Sequence, residues 1–284
     1  MSTSAAKQAA AEAEQAAIAE AEKDPIHLRI RDLRKTYGEH EILKGVTFDV
    51  LRGLNNVIIG ASGSGKTVMV RQLIRLEKPN AGQIIVDGQD ITSLSDVELV
   101  PARRKFGMVF QMSALFDSMD VYDNVAFLLR EHTKLRERDI REKVMARLKA
   151  LGVDHAAHKM PAELSGGMKK RVAVARALAL EPKILIYDEP TTGLDPITSR
   201  TVDDLIEQTR ETYGVTSIII SHDMASVFRV GHHITYLYKG TIEASGTPEE
   251  FLASDSVRVH EFLEASGVSK DLMREGRVDA PTTA

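Results

Sequence analysis

The stretch Gly60-Ala61-Ser62-Gly63-Ser64-Gly65-Lys66-Thr67 decides the fold. It matches the pattern G-x-x-x-x-G-K-[ST] at every fixed position. The apolar run Val57-Ile58-Ile59 precedes it and predicts a short buried strand. Residues Val68 to Leu76 follow it with the apolar spacing of a helix. The pattern therefore lies between a strand and a helix, which is the context that it requires.

This loop has the chemistry of a triphosphate site. Glycines let backbone N–H groups turn toward a concentrated negative charge, and the start of the following helix adds a favourable dipole. We expect Lys66 to reach the β- and γ-phosphates of a triphosphate, and the Thr67 hydroxyl to bind Mg²⁺. The alternative is a glycine-rich turn without a ligand, but the Lys–Thr pair and both flanking elements argue against it. The expected nucleotide contacts are Gly60, Ala61, Ser62, Gly63, Ser64, Gly65, Lys66, Thr67 and Val68.

Length and composition limit the class of protein. The chain has 284 residues, enough for one large or two modest domains, and 43% of them are hydrophobic. With 37 basic and 41 acidic residues the formal charge is −4, so no nucleic-acid surface is expected. Cysteine is absent, which excludes disulfides and thiolate metal sites. No apolar run is long enough to cross a bilayer and no signal peptide is evident, so any membrane part must come from another chain.

The two ends of the chain differ from its middle. Residues 1–25 are mostly Ala, Glu, Gln and Lys, and they predict a frayed helical tail with little to bury. Residues 267–284 are polar and predict a mobile tail. The single expected domain covers residues 26–266.

The middle of the chain predicts an α/β domain. Apolar or alternating segments bounded by turn residues predict strands, and several are followed by helical spacing. The block from about 112 to 165 is mainly helical and interrupts this alternation, so we expect an inserted helical subdomain. Helical spacing predicts two apolar faces in it, one of Val125, Leu128 and Leu129 and one of Ile140, Val144, Leu148 and Leu151. The predicted strands are residues 27–33, 41–50, 57–59, 82–88, 106–111, 184–188 and 214–221, with a closing hairpin over 234–244.

Polar side chains follow three of these strands. In open α/β sheets ligands bind beyond the carboxyl ends of the strands, so Gln111 is expected near the nucleotide. Asp188 suits a Mg²⁺ ligand, and Glu189 could polarise a water for attack on the γ-phosphate. The alternative is that two acids at a strand end are solvated surface, but the phosphate loop in the same chain argues for a site. His222 is ambiguous, because most such histidines are structural or exposed.

Two further features have a structural and a functional interpretation. Leu164-Ser165-Gly166-Gly167-Met168 precedes a strong helix, so Ser165 predicts an N-cap and the glycines leave the helix start open to an anion. On this segment alone, a capped helix start is the favoured interpretation. Tyr37 precedes a glycine and offers a flat ring to a base, although such a residue is more often a core or edge aromatic.

The ordered set of motifs resembles the ATP-binding subunit of an ABC transporter, over residues from about His27 to about Ser266. The resemblance implies a P-loop NTPase fold with a RecA-like core, an antiparallel β subdomain and an inserted α-helical subdomain over about 112–165. The motifs that carry it are Tyr37, Gly60–Thr67, Gln111, Leu164–Met168, Ile184–Glu189, Leu194–Asp195 and His222.

The resemblance also implies roles for single residues. Tyr37 would stack on the adenine of ATP, and Gln111 would touch Mg²⁺ and the attacking water while linking hydrolysis to the helical subdomain. Glu189 would be the general base and His222 the sensor of the γ-phosphate. Lys66 would take part in catalysis through the phosphates. The implied metal ligands are Thr67, Gln111 and Asp188.

The family also implies a homodimer. Ser165, Gly166 and Gly167 would bind the γ-phosphate of an ATP molecule held by a second subunit, so that two chains pack head to tail around two nucleotides. Asp195 would help to join the two halves. This explains why the Ser-Gly-Gly segment has no phosphate-loop lysine of its own.

A narrower resemblance is to the Mla/Mkl group of these ATPases. This group energises traffic of phospholipids or other hydrophobic compounds between inner and outer membranes. The resemblance implies an integral-membrane permease and an MCE-domain substrate-binding protein as partners, with the ATPase on the cytoplasmic face of the inner membrane. It rests on Gly65–Val68, Gln111–Phe127, Leu129–Glu131 and Glu163–Arg171.

Several alternatives remain open at this stage. The apolar trio Ala114-Leu115-Phe116 is either part of the subdomain core or, as the family resemblance implies, a groove for a permease helix. The groove is favoured because Gln111 couples the same loop to ATP. One alternative is a soluble ABC ATPase of DNA repair or translation, but such proteins usually have paired cassettes or long coiled-coil insertions, and this chain has one cassette and no heptad run. A regulatory module without hydrolysis is disfavoured by the presence of Glu189 and His222. An importer of amino acids, methionine or ions is the remaining alternative.

Overall fold

The structure is a computed structural model that describes residues 23–268. The expected N-terminal helical tail, apart from its last three residues, and nearly all of the expected C-terminal tail lie outside this range. In the part described, no helix has the length and apolar character needed to cross a membrane.

The chain folds into ten strands and nine α-helices within the described residues. In chain order they are β1 (Ile26–Tyr37), β2 (His40–Leu51), β3 (Asn55–Ile59), α1 (Lys66–Leu73), β4 (Ala81–Val86), β5 (Gln89–Asp90), α2 (Asp96–Arg103), β6 (Phe106–Val109), α3 (Val121–His132), α4 (Glu137–Ala150), α5 (Gly166–Ala177), β7 (Ile184–Asp188), α6 (Pro196–Tyr213), β8 (Thr216–Ile220), α7 (Met224–Val230), β9 (His233–Tyr238), β10 (Thr241–Gly246), α8 (Pro248–Leu252) and α9 (Val257–Ala265). Two 3-10 turns, Asp154–Ala156 and Pro161–Glu163, lie between α4 and α5.

A four-stranded antiparallel sheet has the order β2-β1-β4-β5. Its central strand β1 pairs with both neighbours, so that Ile30 lies opposite Phe48 on β2 and Ile84 on β4. These three side chains are buried, as is Leu28 two residues before Ile30. The alternating pattern of β1 thus places one face of this sheet on a hydrophobic core.

The central sheet has six strands in the order β10-β9-β3-β8-β7-β6. All adjacent pairs are parallel except β9 and β10, which form the predicted closing hairpin. The two faces of β3 pack into different cores: Val57 and Ile59 contribute to one, and Ile58 to the other. A sheet covered on both faces explains why its strands are continuous apolar runs. The two sheets and the surrounding helices confirm the predicted α/β class.

The three helices α3, α4 and α5 pack together beside the central sheet. Val125 and Leu129 of α3, with Val144 and Leu148 of α4, are buried in the same core as Val57 of β3. The helical spacing that predicted these faces therefore identified the buried side chains correctly. Helix α5 lies within this core as well, so it connects the helical block to the sheet.

One helix boundary differs from the sequence prediction, and two helices were not predicted. Helix α1 ends at Leu73, whereas the prediction extended to Leu76. The reason is that Arg75 adopts a left-handed backbone conformation, with φ of 53°, which ends a right-handed helix. Helices α2 and α7 were not predicted. Each begins with a side-chain cap: the Ser95–Glu98 capping box starts α2, and Asp223 starts α7.

Candidate nucleotide-binding site

A cavity of about 810 Å³ opens at the carboxyl ends of the parallel strands, beside the start of α1. Because β3, β7 and β8 are adjacent and parallel, the residues that follow them meet at this edge. The cavity is lined by Ile42, Gly60, Ala61, Ser62, Gly63, Gly65, Lys66, Thr67, Val68, Gln111, Asp188, Glu189, Thr192, Ile220, His222, Phe262, Ala265 and Ser266. It therefore contains the phosphate loop, the strand-end acids, the glutamine and the histidine that the sequence singled out.

The loop before α1 requires glycine at two positions. A Cβ on Gly60 would lie 2.4 Å from the carbonyl oxygen of Leu237, so a larger residue would collide with backbone. Gly65, the N-cap of α1, has φ of 108°, a conformation that other residues rarely adopt. Ser64 is buried and is the one predicted residue of this loop that does not line the cavity; its N–H donates to the Ala61 carbonyl at 3.1 Å.

Lys66 is folded over this loop. Its Nζ donates to the carbonyl oxygen of Gly60 at 2.6 Å and to that of Ala61 at 3.2 Å. Burial lowers the pKa of Lys66, while the charges of Glu189 and Asp188 act to raise it. The ammonium group is therefore held near the loop and near two carboxylates, in a cavity that can take an anion.

The two acids leave β7 in different ways. Asp188 is the last residue of the strand and lies opposite Ile220 of β8. Burial raises the pKa of the Asp188 carboxyl, and the charge of Glu189 raises it further. Glu189 has φ of 49°, and its N–H donates to the carbonyl oxygen of Ile220 at 2.9 Å. A non-glycine residue in this conformation is strained, and such strain is typical of functional sites.

The carboxylate of Glu189 is held by two neighbours. Its Oε2 accepts a hydrogen bond from Thr192 Oγ1 at 2.9 Å and lies 2.7 Å from Nδ1 of His222. The Glu189 side chain is 18% exposed and that of His222 is 59% exposed. Glu189 is thus fixed against the wall of the cavity, and the imidazole lies on the open side.

Thr67, Gln111 and Asp188 line the same cavity. Their side chains offer a hydroxyl, an amide carbonyl and a carboxylate oxygen, which are the hard donors that Mg²⁺ prefers. Gln111 lies two residues beyond β6 and is exposed, and its main-chain carbonyl accepts a hydrogen bond from Lys170 Nζ at 2.5 Å. The donor set therefore fits a magnesium ion bound together with phosphate oxygens.

Four of the residues that the sequence predicted to contact nucleotide lie away from the cavity of their own chain. Tyr37 ends β1, is 41% exposed, and its hydroxyl donates to Glu77. Ser165 is the N-cap of α5, where its Oγ accepts a hydrogen bond from the Met168 N–H at 3.3 Å. Gly166 and Gly167, which begin α5, are also outside the cavity lining. The structure thus divides the predicted site residues into one cavity and two separate surfaces.

Sequence reasoning missed one wall of the cavity. Phe262, Ala265 and Ser266 at the end of α9 line it. The Phe262 ring packs on Tyr236, with centroids 4.7 Å apart, and Tyr236 pairs with Ile59 just before the phosphate loop. Only the strand order brings these residues together, so no local pattern indicated them. Ile42, Thr192 and Ile220 were also missed.

Comparison with known proteins identifies the family. A family model described as "ABC transporter" matches residues 43–192, which is more than half of the chain. The chain belongs to the ABC transporter family. Its P-loop ABC ATPase fold, predicted from the motif order, is confirmed by solved ATP-binding cassettes. A dimeric cassette in a post-hydrolysis state bound to ADP and Pi is 32% identical, covering 78% of this chain and 98% of that one, with a TM-score of 0.69.

Other ABC proteins match over most of the chain. The intermembrane phospholipid transport system ATP-binding protein MlaF of Haemophilus influenzae is 40% identical over 84% of this chain and 90% of its own length. The probable ribonucleotide transport ATP-binding protein mkl of Mycobacterium leprae is 38% identical over 88% of this chain and 72% of its own. The structure of cbiO1 from Clostridium perfringens, part of the ABC transporter complex cbiONQ, gives a TM-score of 0.76 at 32% identity over 89% of this chain and 98% of that chain.

The predicted activity class is therefore confirmed. The chain is an ATP-binding, ATP-hydrolysing subunit of the ABC transporter family, and its relatives include the MlaF and mkl proteins that the narrower resemblance indicated.

Proposed function

We propose that this ATPase drives transport of phospholipid or another hydrophobic compound between membranes, as a homodimer bound to an integral-membrane permease and an MCE-domain protein. The observation that carries the proposal is the 40% identity to an intermembrane phospholipid transport ATP-binding protein over 84% of the chain. The site of action would be the cytoplasmic face of the inner membrane, where ATP is available and the permease is embedded.

The geometry supports a role in phosphate binding for the residues of the cavity. The loop N–H groups and Lys66 bind the triphosphate, and Lys66 exchanges the carbonyls of Gly60 and Ala61 for phosphate oxygens. Thr67, Gln111 and Asp188 hold Mg²⁺. When bound, the ion neutralises charge on the β- and γ-phosphates.

Glu189 is the general base in this proposal. Its carboxylate takes a proton from the water that attacks the γ-phosphate, and Thr192 and His222 fix its orientation during that transfer. The imidazole of His222, on the open side of the cavity, contacts the γ-phosphate itself. Tyr37 stacks on the adenine after its hydroxyl leaves Glu77.

The exposed start of α5 supports the two-chain arrangement. The N-cap Ser165 and the following Gly166 are exposed and lie outside the cavity of their own chain. A helix N-terminus with two glycines attracts an anion, so this end of α5 completes the nucleotide site of a second copy. ATP then holds two chains together, and loss of the γ-phosphate releases them. Residue Asp195, which caps α6, lies near the same junction in this proposal.

An apolar surface beside Gln111 supports docking to a membrane subunit. Met112 is 85% exposed and Phe116 is 41% exposed, and Ala114 between them is exposed as well. Exposed apolar side chains grouped on one loop are typical of protein interaction sites. A helix of the permease fits this surface, and it would receive the motion of the Gln111 loop.

A second candidate function is transport of ribonucleotides or another polar solute. It is favoured by the relatives from Mycobacterium species described as probable ribonucleotide transport ATP-binding proteins, which are 38% identical over 88–90% of this chain. Because the transported molecule does not touch the ATPase, the cavity residues do not separate the two candidates.

The deciding experiment captures the tagged chain with its membrane partners and reconstitutes the complex in liposomes. We expect an MCE-domain protein among the partners, and ATP-dependent movement of a fluorescent phospholipid between vesicles. The Glu189→Gln complex is the matched control, because it should bind ATP without moving lipid. Capture of a permease without an MCE protein, together with uptake of a labelled ribonucleotide, would favour the second candidate. Purification with ribosomes or DNA would indicate a soluble ABC ATPase.

A further inference from the structure

Helix α5 carries two buried cations that face backbone carbonyls. Lys170 is 6% exposed and Arg176 is 8% exposed. Burial lowers the pKa of both groups. Among the described residues, their hydrogen bonds go to main-chain oxygens and neither forms an ion pair with a carboxylate. Burying a cation without a counter-ion is costly, so these two groups call for an explanation.

All of these bonds go to the loop that begins at Gln111. Lys170 Nζ donates to the Gln111 carbonyl at 2.5 Å. Arg176 donates from Nη2 to the Ser113 carbonyl at 2.9 Å and from Nη1 to the Ala114 carbonyl at 2.7 Å. Its guanidinium carbon also lies 5.6 Å from the centre of the Phe116 ring. One helix therefore holds the first half of this loop.

The loop is strained at the residues that are held. Ser113 and Ala114 have φ of 62° and 46°, a left-handed conformation that neither residue prefers. Charge-assisted hydrogen bonds are about twice as strong as neutral ones and can hold such a backbone. The second half of the loop is held by α3, where buried Asn124 bonds the main chain of Phe116 and Met119. The whole loop is thus tied to the helices rather than to the central sheet.

We infer that Lys170 and Arg176 are positioning residues that fix the Gln111 loop to α5, so that Gln111 and Ser165 move as one unit. The inference rests on the proposed function, in which Gln111 contacts the chain's own nucleotide and Ser165 that of a second copy. Lys170 follows Ser165 by five residues, a rise of roughly 7.5 Å along the helix. If the second nucleotide displaces the Ser165 end of α5, the rigid helix therefore transmits that displacement to Gln111.

The first test compares Lys170→Met with Lys169→Met. Lys169 is the adjacent residue of the same helix and is only partly buried, so it is the matched control. We expect Lys170→Met to lower kcat by about tenfold or more, the effect of losing a hydrogen bond to a charged group, with little change in KM for ATP. Lys169→Met should change neither. Lys170→Arg, which restores a cationic donor, should recover part of the lost rate.

The second test separates positioning from a general structural role. In a Gln111→Ala background, Lys170→Met should cause no further loss of kcat, because its effect passes through the Gln111 side chain. A full additional loss in the double variant, or an unaffected kcat in Lys170→Met alone, would overturn the inference and leave the proposed function intact. Normal turnover in Gln111→Ala would overturn both the role proposed for Gln111 and the inference.

A third variant guards against a misfolded protein. Lys170→Gln keeps a neutral donor at the same position and is used if the methionine variant unfolds before 37 °C in a thermal scan. We expect an intermediate kcat, again without further loss in the Gln111→Ala background. If Lys170→Gln has normal turnover or its loss persists in that background, the inference is wrong.

Discussion

The imidazole of His222 contacts the carboxylate of Glu189, with Nδ1 2.7 Å from Oε2. Thr192 Oγ1 donates to the same oxygen, and the left-handed backbone of Glu189 directs the side chain into the cavity beside Lys66. A carboxylate held at this place is oriented before the nucleotide arrives. In this arrangement the Glu189 carboxylate can take a proton from a water while the adjacent His222 imidazole contacts the γ-phosphate.

Replacing Glu189 with Gln should separate binding from hydrolysis. The amide keeps the size of the side chain and a hydrogen bond to Thr192, but it cannot accept a proton from water. We expect phosphate release to fall by about a hundredfold or more, within the range of general base catalysis, with ATP affinity nearly unchanged. Phosphate release and equilibrium binding of labelled ATP measure the two quantities. Normal turnover in this variant would exclude Glu189 as the base.

Replacing Lys66 with Ala should weaken binding itself. The ammonium group donates to two carbonyls of the phosphate loop, and a hydrogen bond to a charged group contributes about 1.5–3 kcal/mol, so we expect ATP affinity to fall by about tenfold or more. Lys149→Ala, at an exposed position near the end of α4, is the control and should bind normally. Equal affinities of the two variants, measured by titration calorimetry, would contradict the assignment of the phosphate loop.

Two aspartates should respond to pH in opposite directions. The pKa of Asp188 is raised, mainly by burial, so its ionised form is less stable in the folded than in the unfolded chain. This cost is present at neutral pH and is lost as pH falls through the folded pKa toward about 4. We predict that Asp188→Asn raises the melting temperature of the nucleotide-free protein at pH 7, and that the gain disappears near pH 4.

Asp87 provides the comparison. Burial alone would raise its pKa, but hydrogen bonds from His27, Arg52 and Lys105 outweigh burial and hold the pKa well below its usual range. Its stabilising effect is therefore present above the unfolded pKa and is lost as pH falls below about 4. We predict that Asp87→Asn destabilises the fold at pH 7 by about 3 kcal/mol and that the loss shrinks in acid. Thermal unfolding of both variants at several pH values measures both changes in stability. A lower melting temperature of Asp188→Asn at pH 7 would contradict the prediction for Asp188.

The wall formed by α9 should report nucleotide binding. The chain has no tryptophan, so Phe262→Trp introduces a single tryptophan at the cavity, whose emission can be excited apart from that of the tyrosines. We expect a saturable change in its emission on addition of ATP, with the same midpoint as direct binding. Tyr213→Trp is the control. Tyr213 lies just before β8, at the amino ends of the parallel strands, whereas the cavity lies at their carboxyl ends. Unchanged emission of the Phe262 variant at saturating ATP would place the nucleotide away from α9.

Much of the site could be predicted from short patterns, because each pattern fixes local geometry. The Gly60–Thr67 loop, the strand before it and the acids after β7 needed only local sequence. The wall at Phe262 needed the order of β3, β9 and β10, which no local pattern contains. The left-handed backbone of Glu189 was also beyond prediction, because its carbonyl partner at Ile220 belongs to another strand.

The helical block shows a second limit. Spacing correctly predicted the buried residues of α3 and α4, since 3.6-residue periodicity directly reflects burial. The cations at Lys170 and Arg176 gave no such signal, because a lysine or arginine in a helix is normally solvated. Only the path of the Gln111 loop across α5 revealed their partners.

In the proposed dimer, ATP is bound between two copies of this chain, so that the phosphate loop of one, which includes Ser62, faces Ser165 of the other. Because the chain has no cysteine, Ser62→Cys and Ser165→Cys variants in the Glu189→Gln background each carry one thiol. After mixing the two variants with Mg²⁺ and ATP, treatment with a short bis-maleimide should give a product of twice the monomer mass. The mixture without ATP, and the Ser165→Cys variant alone with ATP, should give no cross-linked product. Failure to cross-link the mixture at saturating ATP, with ATP binding retained, would contradict the claim.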